Sequence, residues 1–236
     1  MKYAILPPQK TEYQELDKAR GAVEIIGCYP GYGATLGNAL RRVLLSSLKG
    51  AAVTSVKIEG AQHEFSTVEH VKEDIVQIIL NLKKIRFRMD DEETVKVSVN
   101  VKGDKVVTAK DIKTFTGIEV MNPDQVIAHL TDKKAQFNIE IEVQKGLGYV
   151  PVEQQDRPEK EIGVIAIDAI FTPVKRVNFT IDNVRVGKRT DYEKIRLDIE
   201  TDGTVSPKDA FEHAVGILVQ QFGSLLSEGE SKEGEE

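Results

Sequence analysis

A helical segment near residue 40 carries more apolar surface than one hydrophobic core can cover. The stretch "PGYGATLGNALRRVLLSSL" occupies residues 30 to 48. At about 100° per residue its apolar side chains sweep an arc of roughly 240°, whereas a surface helix needs only about 100°. Those side chains are Leu36, Ala39, Leu40, Val43, Leu44, Leu45 and Leu48. Such a helix must bury one side against its own core and a second side against something else.

The ends of this helix are predicted from its flanking residues. Thr35 is the expected N-cap, Lys49 favours the helix C-terminus, and Gly50 can adopt a left-handed stop. Arg42 is expected to point away from the middle of the apolar arc. The helix is therefore expected to end close to Leu48 with a polar ridge opposite its apolar side.

The glycines before the helix match a nucleotide-binding loop only in part. Gly31 and Gly33 fit the pattern G-x-G-x-x-G, but Leu36 occupies the third slot and Gly37 comes one residue late. A P-loop would need a Lys after the last glycine, and none follows. These mismatches make a nucleotide-using enzyme the weaker interpretation. We keep it as one alternative.

A second helix with an over-wide apolar arc is predicted near the C-terminus. Ser206, Pro207 and Asp209 supply an N-cap, a proline at the first helical position and an acidic first turn. From there to Leu226 the apolar residues span roughly 200°. This helix also needs more than one packing partner.

The rest of the sequence predicts mainly strands. Alternating or continuous apolar residues indicate strands in "GAVEIIG", "AAVTSVKIEGA", "TVKVSVNVKG", "FNIEIEVQKGLGYV", "EKIRLDIETDG" and, broken at Pro173, "IGVIAIDAIFTPVKRVNFTIDNVRV". A helix is expected over 66–85, capped at Ser66 or Thr67. The first 20 residues are expected to form an extended arm, 153–161 a surface loop, and 228–236 a disordered acidic tail or linker.

Composition and motifs give no sign of catalytic chemistry. The single Cys28 and four scattered histidines offer no disulfide framework or zinc-site spacing, and no G-x-S-x-G elbow is present. The acidic run "DDEE" at 90–93 is typical of a solvated hairpin tip. No apolar run reaches the ~18 residues of a membrane span. We expect a cytoplasmic protein with no catalytic residue, no cofactor and no metal.

Charge argues against generic nucleic-acid binding. The net charge is −6, and the basic stretch "KKIRFR" at 83–88 is interpreted first as an ordinary amphipathic edge and second as a contact for an acidic partner or nucleic acid. A few phosphate contacts give weak, salt-sensitive attachment. The chain is expected to bind DNA negligibly by itself.

Four stretches in register resemble the bacterial RNA polymerase alpha subunit family. They are "GYGATLGNALRRVLLSSL", "HEFSTVEHVKEDIVQIILNLK", "GLGYVPVE" and "VGKRTDYEKIRLDIETDGTVSPKDA". The resemblance extends over about residues 20 to 226, and the first stretch alone is close to diagnostic. Ala34, where the family often has His, and Leu147, where it often has Arg, depart from the pattern.

The resemblance implies an α+β fold with a two-part architecture. A discontinuous dimerisation domain, built from an antiparallel sheet and two long helices, would comprise residues 1–49 and 174–227. A mixed α/β domain at 50–173 would be inserted in it. Family members usually continue into a C-terminal DNA-binding domain, whereas this sequence ends in the acidic tail.

The resemblance also implies a function without an active site on this chain. The family forms a homodimer that nucleates assembly of the beta and beta-prime subunits, with omega and sigma in the full complex, into a DNA-dependent nucleotidyltransferase that makes RNA. The implied dimer interface is Leu36, Leu40, Val43, Phe211, Leu218 and Phe222, and the implied beta or beta-prime docking residues are Arg42, Lys83, Ile167 and Asp168. The alternative is an unrelated homodimeric protein-binding module, which would share the wide arcs but not four motifs in register.

Overall fold

The computed structural model describes residues 5–61, 63–90, 93–155 and 163–226. It is an α+β structure, rich in sheet, that divides into two compact units. The first unit comprises the described residues up to Leu48 together with those from Val174 onward, and the second runs from Lys49 to Pro173. Each unit has its own hydrophobic core.

Strands far outnumber helices in the described residues. The α-helices are α1 (Tyr32–Ser46), α2 (Ile75–Leu82) and α3 (Pro207–Gly223), and short 3-10 helices cover Ala109–Asp111 and Val152–Gln154. The strands are β1 (Lys10–Glu15), β2 (Arg20–Cys28), β3 (Lys49–Ile58), β4 (Phe87–Met89), β5 (Val95–Lys102), β6 (Val106–Thr108), β7 (Ile112–Lys113), β8 (Ile118–Val120), β9 (Val126–His129), β10 (Gln136–Leu147), β11 (Tyr149–Val150), β12 (Val164–Ala166), β13 (Ala169–Ile170), β14 (Val174–Val186) and β15 (Arg189–Thr201).

The first unit is an antiparallel sheet covered on one face by α1 and α3. Its strand order is β1-β2-β15-β14, and Leu197 lies opposite both Val23 and Phe179 in the register. Alternate residues of these strands, such as Ile195 and Ile199, are buried beneath the helices. Within the expected extended N-terminal arm, Lys10–Glu15 form a strand, β1, which pairs along its whole length with β2.

The start and end of α1 differ from the expectation. Its N-cap is Gly31, at a φ of 86°, and Thr35 lies inside the helix. Gly50 belongs to β3 rather than to a helix stop. The earlier start is possible because only glycine adopts such a φ without strain, and because the side chain of Glu193 on β15 accepts the first amides of the helix.

The start of α3 confirms the capping signal in the sequence. The Ser206 side chain accepts a hydrogen bond of 3.1 Å from the Asp209 amide, and Pro207 is the first helical residue. The predicted tail at 228–236 lies outside the described residues, as do most of the 153–161 loop and part of the acidic run at 90–93.

The second unit is built on a larger antiparallel sheet. Its strand order is β7-β5-β10-β3-β4-β8, with β12 also paired to β3, and two small ribbons pair β6 with β9 and β11 with β13. The long pairing of β3 with β10 carries one β-bulge between Glu142 and Val143. The apolar face of this sheet packs with α2 into the core, in which Ile75, Ile78 and Leu82 are fully buried.

The second helix is much shorter than the expected 66–85. It begins after Asp74, whose carboxylate accepts from the Gln77 amide at 2.7 Å. The residues before it form turns and bends instead, because Val71 forms a β-bridge with Leu130 and the Lys72 amide donates to the His129 carbonyl. Pairing with a neighbouring strand thus outweighs the local helical pattern.

A glycine-to-alanine pair tests how closely α1 is seated on the sheet. A Cβ on Gly37 would lie 2.7 Å from the ring of Phe179, whereas one on Gly216 in α3 would meet nothing within 4 Å. Gly216→Ala is expected to stabilise by up to about 1 kcal/mol through helix propensity. Gly37→Ala is expected to destabilise, since overpacking costs about 1–3 kcal/mol. The measurement is the midpoint of urea unfolding for both variants, and equal stabilisation by both would contradict the close seating.

Candidate protein-interaction site

The two long helices of the first unit use only part of their apolar surface for the core. In α1 the buried residues are Gly33, Gly37, Leu40 and Leu44, and in α3 they are Pro207, Ala210 and Ala214. Four residues expected at an interface, Leu36, Val43, Phe211 and Leu218, are half-buried at the margin of this core. The wide arcs therefore do exceed what one core covers.

The end of α3 carries the most exposed apolar side chains of the pair. Phe222 is 61% exposed and Val219 66%, while Leu225 and Leu226, just beyond the helix, are each 77% exposed. Exposed apolar residues grouped in this way mark surfaces for association. We call Val219, Phe222, Leu225 and Leu226 the α3 apolar end.

Two predicted contact residues are core residues in the structure. Leu40 is 4% exposed within the first unit and Ile167 is 2% exposed within the second. Both side chains are already packed inside their own units. Neither side chain offers a partner a surface, and a substitution at either position would disturb folding before it disturbed an interface.

Arg42 lies on the solvent side of α1, as the helical spacing predicts. Its residue is exposed, and its carbonyl accepts a hydrogen bond from the Ser46 hydroxyl at 2.7 Å. Within the described part of the chain its guanidinium has no carboxylate partner. This cation is therefore available to carboxylates or carbonyl groups of another protein.

Lys83 and Asp168, predicted from separate motifs, are neighbours in the second unit. Lys83 is the C-cap of α2, and its Nζ lies 3.4 Å from Oδ2 of Asp168. The other oxygen of Asp168 accepts from the Val152 amide at 3.1 Å. The nearby Tyr149 hydroxyl also helps to lower the pKa of Asp168. One carboxylate thus joins the end of α2 to the turn that follows β11.

Backbone contacts on either side hold Asp168 in place. The amide of buried Ile167 donates to the Thr54 carbonyl at 2.9 Å, and its carbonyl accepts from Nε2 of Gln155 at 2.8 Å. The role of Ile167 is therefore to anchor Asp168 to the core. Tyr149 and Gln155 were not predicted from the sequence, since no local pattern signals a contact with a residue so far along the chain.

The electrostatics of this pair favour the ionised carboxylate. The hydrogen bond from the Val152 amide, followed by the charge of Lys83, holds the pKa of Asp168 below its ordinary value. The pair is partly open to solvent, with side-chain exposures of 25% for Lys83 and 37% for Asp168. A shallow depression beside it is lined by Arg86 and the half-exposed Ile170. Its shape and charge suit a protein contact better than an enclosed ligand.

The basic stretch at 83–88 behaves mainly as an amphipathic edge. Ile85 and Phe87 are buried in the core, and Arg88 forms an ion pair with Glu119 across β4 and β8.

Over the described ranges, the structure brings no three His, Cys, Asp or Glu side chains together as a metal site would require. No helix in those ranges is long and apolar enough to cross a membrane.

Replacing Asp168 with Asn should lower stability in a pH-dependent way. A carboxylate whose folded pKa is depressed stabilises fully above its unfolded pKa of about 3.8, and this contribution is lost as pH falls through the lower folded pKa. We therefore expect Asp168→Asn to unfold at less urea than the wild type near neutral pH, with the gap closing below pH 3.8. The effect should be small, because the pair is screened by solvent.

A matched substitution makes the pH test specific. Asp124 is exposed and, in the part of the chain that is described, has no ion-pair partner. Asp124→Asn should leave the urea midpoint unchanged at both ends of the pH range. If the difference in urea midpoint between Asp168→Asn and the wild type does not shrink in acid, the charge of Asp168 is not what stabilises the turn.

The amino-acid sequence of this chain is similar to those of known proteins. Residues 56–172 match the family described as "RNA polymerase Rpb3/RpoA insert domain". The chain is 46% identical over 222 residues to the DNA-directed RNA polymerase subunit alpha of Bacteroides fragilis, covering 93% of this chain and 67% of that one. With the same subunit of Carboxydothermus hydrogenoformans it shares 45% identity over 227 residues, covering 96% and 72%. The chain thus spans about two thirds of the length of these relatives.

Proposed function

This chain belongs to the bacterial DNA-directed RNA polymerase alpha subunit family, and we propose that it is the homodimeric platform on which the two largest polymerase subunits assemble. In this proposal the first unit is the dimerisation domain and the second is the insert. The chain acts as a non-catalytic subunit of a cytoplasmic nucleotidyltransferase, and it supplies no cofactor or metal site of its own.

The observation that carries the proposal is the apolar surface left over on α1 and α3. The half-buried margin residues and the α3 apolar end together present several large side chains outside the core. Burying a Leu- or Phe-sized side chain stabilises by about 1.5–3 kcal/mol. A second copy of the same surface would contribute as many again, since a two-fold interface uses the same patch on both subunits. We therefore assign this surface to the dimer.

The polar features fit the second step, docking of the large subunits. Arg42 is a cation without a carboxylate partner in the described residues, and it lies on the side of α1 opposite the core. Lys83 and Asp168 offer a positive and a negative group a few ångströms apart, beside the exposed Ile170. Complementary charges of this kind fix the register of a complex and reject wrong partners. We assign Arg42 to the beta subunit and the Lys83–Asp168 pair to beta-prime.

Phe222→Asp should dissociate the dimer. A charge in place of a buried aromatic removes the burial and adds a desolvation cost, so dimerisation should weaken by more than about tenfold. The measurement is sedimentation equilibrium over a range of concentrations. The control is Phe115→Asp in the second unit, because Phe115 is exposed to a similar degree, 55% against 61%. A dimer that survives Phe222→Asp unchanged would remove the α3 apolar end from the interface.

Arg42→Ala should spare the dimer and weaken capture of the beta subunit. Truncating a charged group in a partly buried interface commonly costs about 2–5 kcal/mol. The measurement is the affinity of the pre-formed dimer for purified beta subunit. Lys113→Ala, which removes an equal charge from an exposed position on β7, is the matched control. If both variants bind beta equally well, Arg42 is only a solvated charge.

A further inference from the structure

The first turn of α1 is capped by a carboxylate that lies far away in the sequence. The Gly31 amide donates to Oε1 of Glu193 at 3.0 Å, and the Gly33 amide donates to Oε2 at 2.7 Å. Glu193 is on β15, 160 residues after Gly33. The first amides of a helix have no partner within the helix, and a carboxylate there also complements the positive end of the helix dipole.

Gly33 makes room for the carboxylate, and Gly31 makes the turn that leads into the helix. A Cβ on Gly33 would lie 2.6 Å from Oε2 of Glu193, and Gly31 adopts a φ of 86°, which other residues would adopt only with strain. The loop that matches part of a phosphate-binding motif does hold an anion, and that anion is a side chain of the same unit. A phosphate would have to displace it.

Aromatic and ionic contacts fix the segment that carries Glu193. The guanidinium of Arg189 lies over the rings of Tyr29 and Tyr192, at 5.5 Å and 5.1 Å from their centroids. The same group makes two hydrogen bonds, of 3.0 Å and 2.7 Å, to the carboxylate of Asp191. Tyr29 belongs to the turn between β2 and α1, so the start of β15 and the start of α1 are held together from two sides.

We propose that Glu193 is a positioning residue for subunit docking, because it fixes the direction of α1 and hence the place of Arg42. This inference rests on the docking role of Arg42 proposed above. Leu44 and Leu48 hold the end of α1 and the residues after it in the core, while Glu193 holds the first turn. Releasing the first turn lets α1 tilt about its buried residues Leu40 and Leu44. The guanidinium of Arg42 lies across the helix from these residues, and a helix with its side chains is about 10–12 Å wide, so the tilt moves the guanidinium away from its partner.

The test compares Glu193 variants in the intact dimer with purified beta subunit as the probe. Glu193→Ala should leave the dimer mass unchanged and weaken beta binding on the order of tenfold, less than Arg42→Ala does, because the guanidinium is displaced rather than removed. Glu193→Gln keeps one amide oxygen as an acceptor and should lose less. Adding Glu193→Ala to Arg42→Ala should cause little further loss, because both act through the same contact.

Ser206→Ala separates positioning from simple loss of stability. It removes the side-chain cap of α3, which accepts the Asp209 amide at 3.1 Å, and so weakens the same unit through the other helix. The Ser206→Ala dimer should bind beta with nearly the wild-type affinity, even if its melting temperature is as low as that of the Glu193→Gln dimer. Equal binding losses in those two variants, or independent losses from Glu193 and Arg42, would overturn the inference. A wild-type dimer that fails to bind beta would instead overturn the proposed docking function, and the inference with it.

Discussion

The close seating of α1 on β14 and β15 is the constraint on which the rest of the first unit depends. The helix lies so near the sheet that Gly37 faces the ring of Phe179 with no room for a methyl group, and Gly33 faces the carboxylate of Glu193. Protein cores tolerate such contacts only when the facing residues match in size. With α1 fixed in this way, α3 packs beside it against β2 and β15, and the remaining apolar surface of both helices is turned outward.

The apolar arcs of α1 and α3 are too wide for one core to cover, so some of their apolar side chains stay in contact with water. An apolar side chain facing water gains nothing from folding, and only those on the side of a helix that faces the sheet reach the core. Leu40 and Leu44 of α1 and the small Ala210 and Ala214 of α3 are therefore buried, whereas Phe222 and Val219 stay exposed near the end of α3. The surplus surface is what an assembly protein needs, because it can be covered only by another chain.

In the second unit, hydrogen bonds and an ion pair hold the partly exposed charged groups in place. There the sheet and α2 form a continuous apolar core, and a single carboxylate, Asp168, is held between the Val152 amide and Lys83. Two residues that are far apart in the sequence become one charged site, because Ile167 anchors the carboxylate while α2 ends at its lysine. Membership in the alpha subunit family is consistent with both devices, an apolar surface in one unit and an ion pair in the other.

The sequence by itself determined the features that depend on neighbouring residues. Alternating apolar residues predicted β2, β5, β10 and β15, and Ser206 with Pro207 predicted the start of α3, because strand faces and local caps are set within a few residues. Only the tertiary structure decided the start of α1, the short length of α2, and the burial of Leu40 and Ile167. In each case the deciding partner lies far along the chain. Glu193 caps α1, contacts with His129 and Leu130 keep the residues before α2 out of the helix, and packing against distant strands decides which apolar side chains reach the core. The sequence around each of these positions gives no sign of a partner that lies so far along the chain.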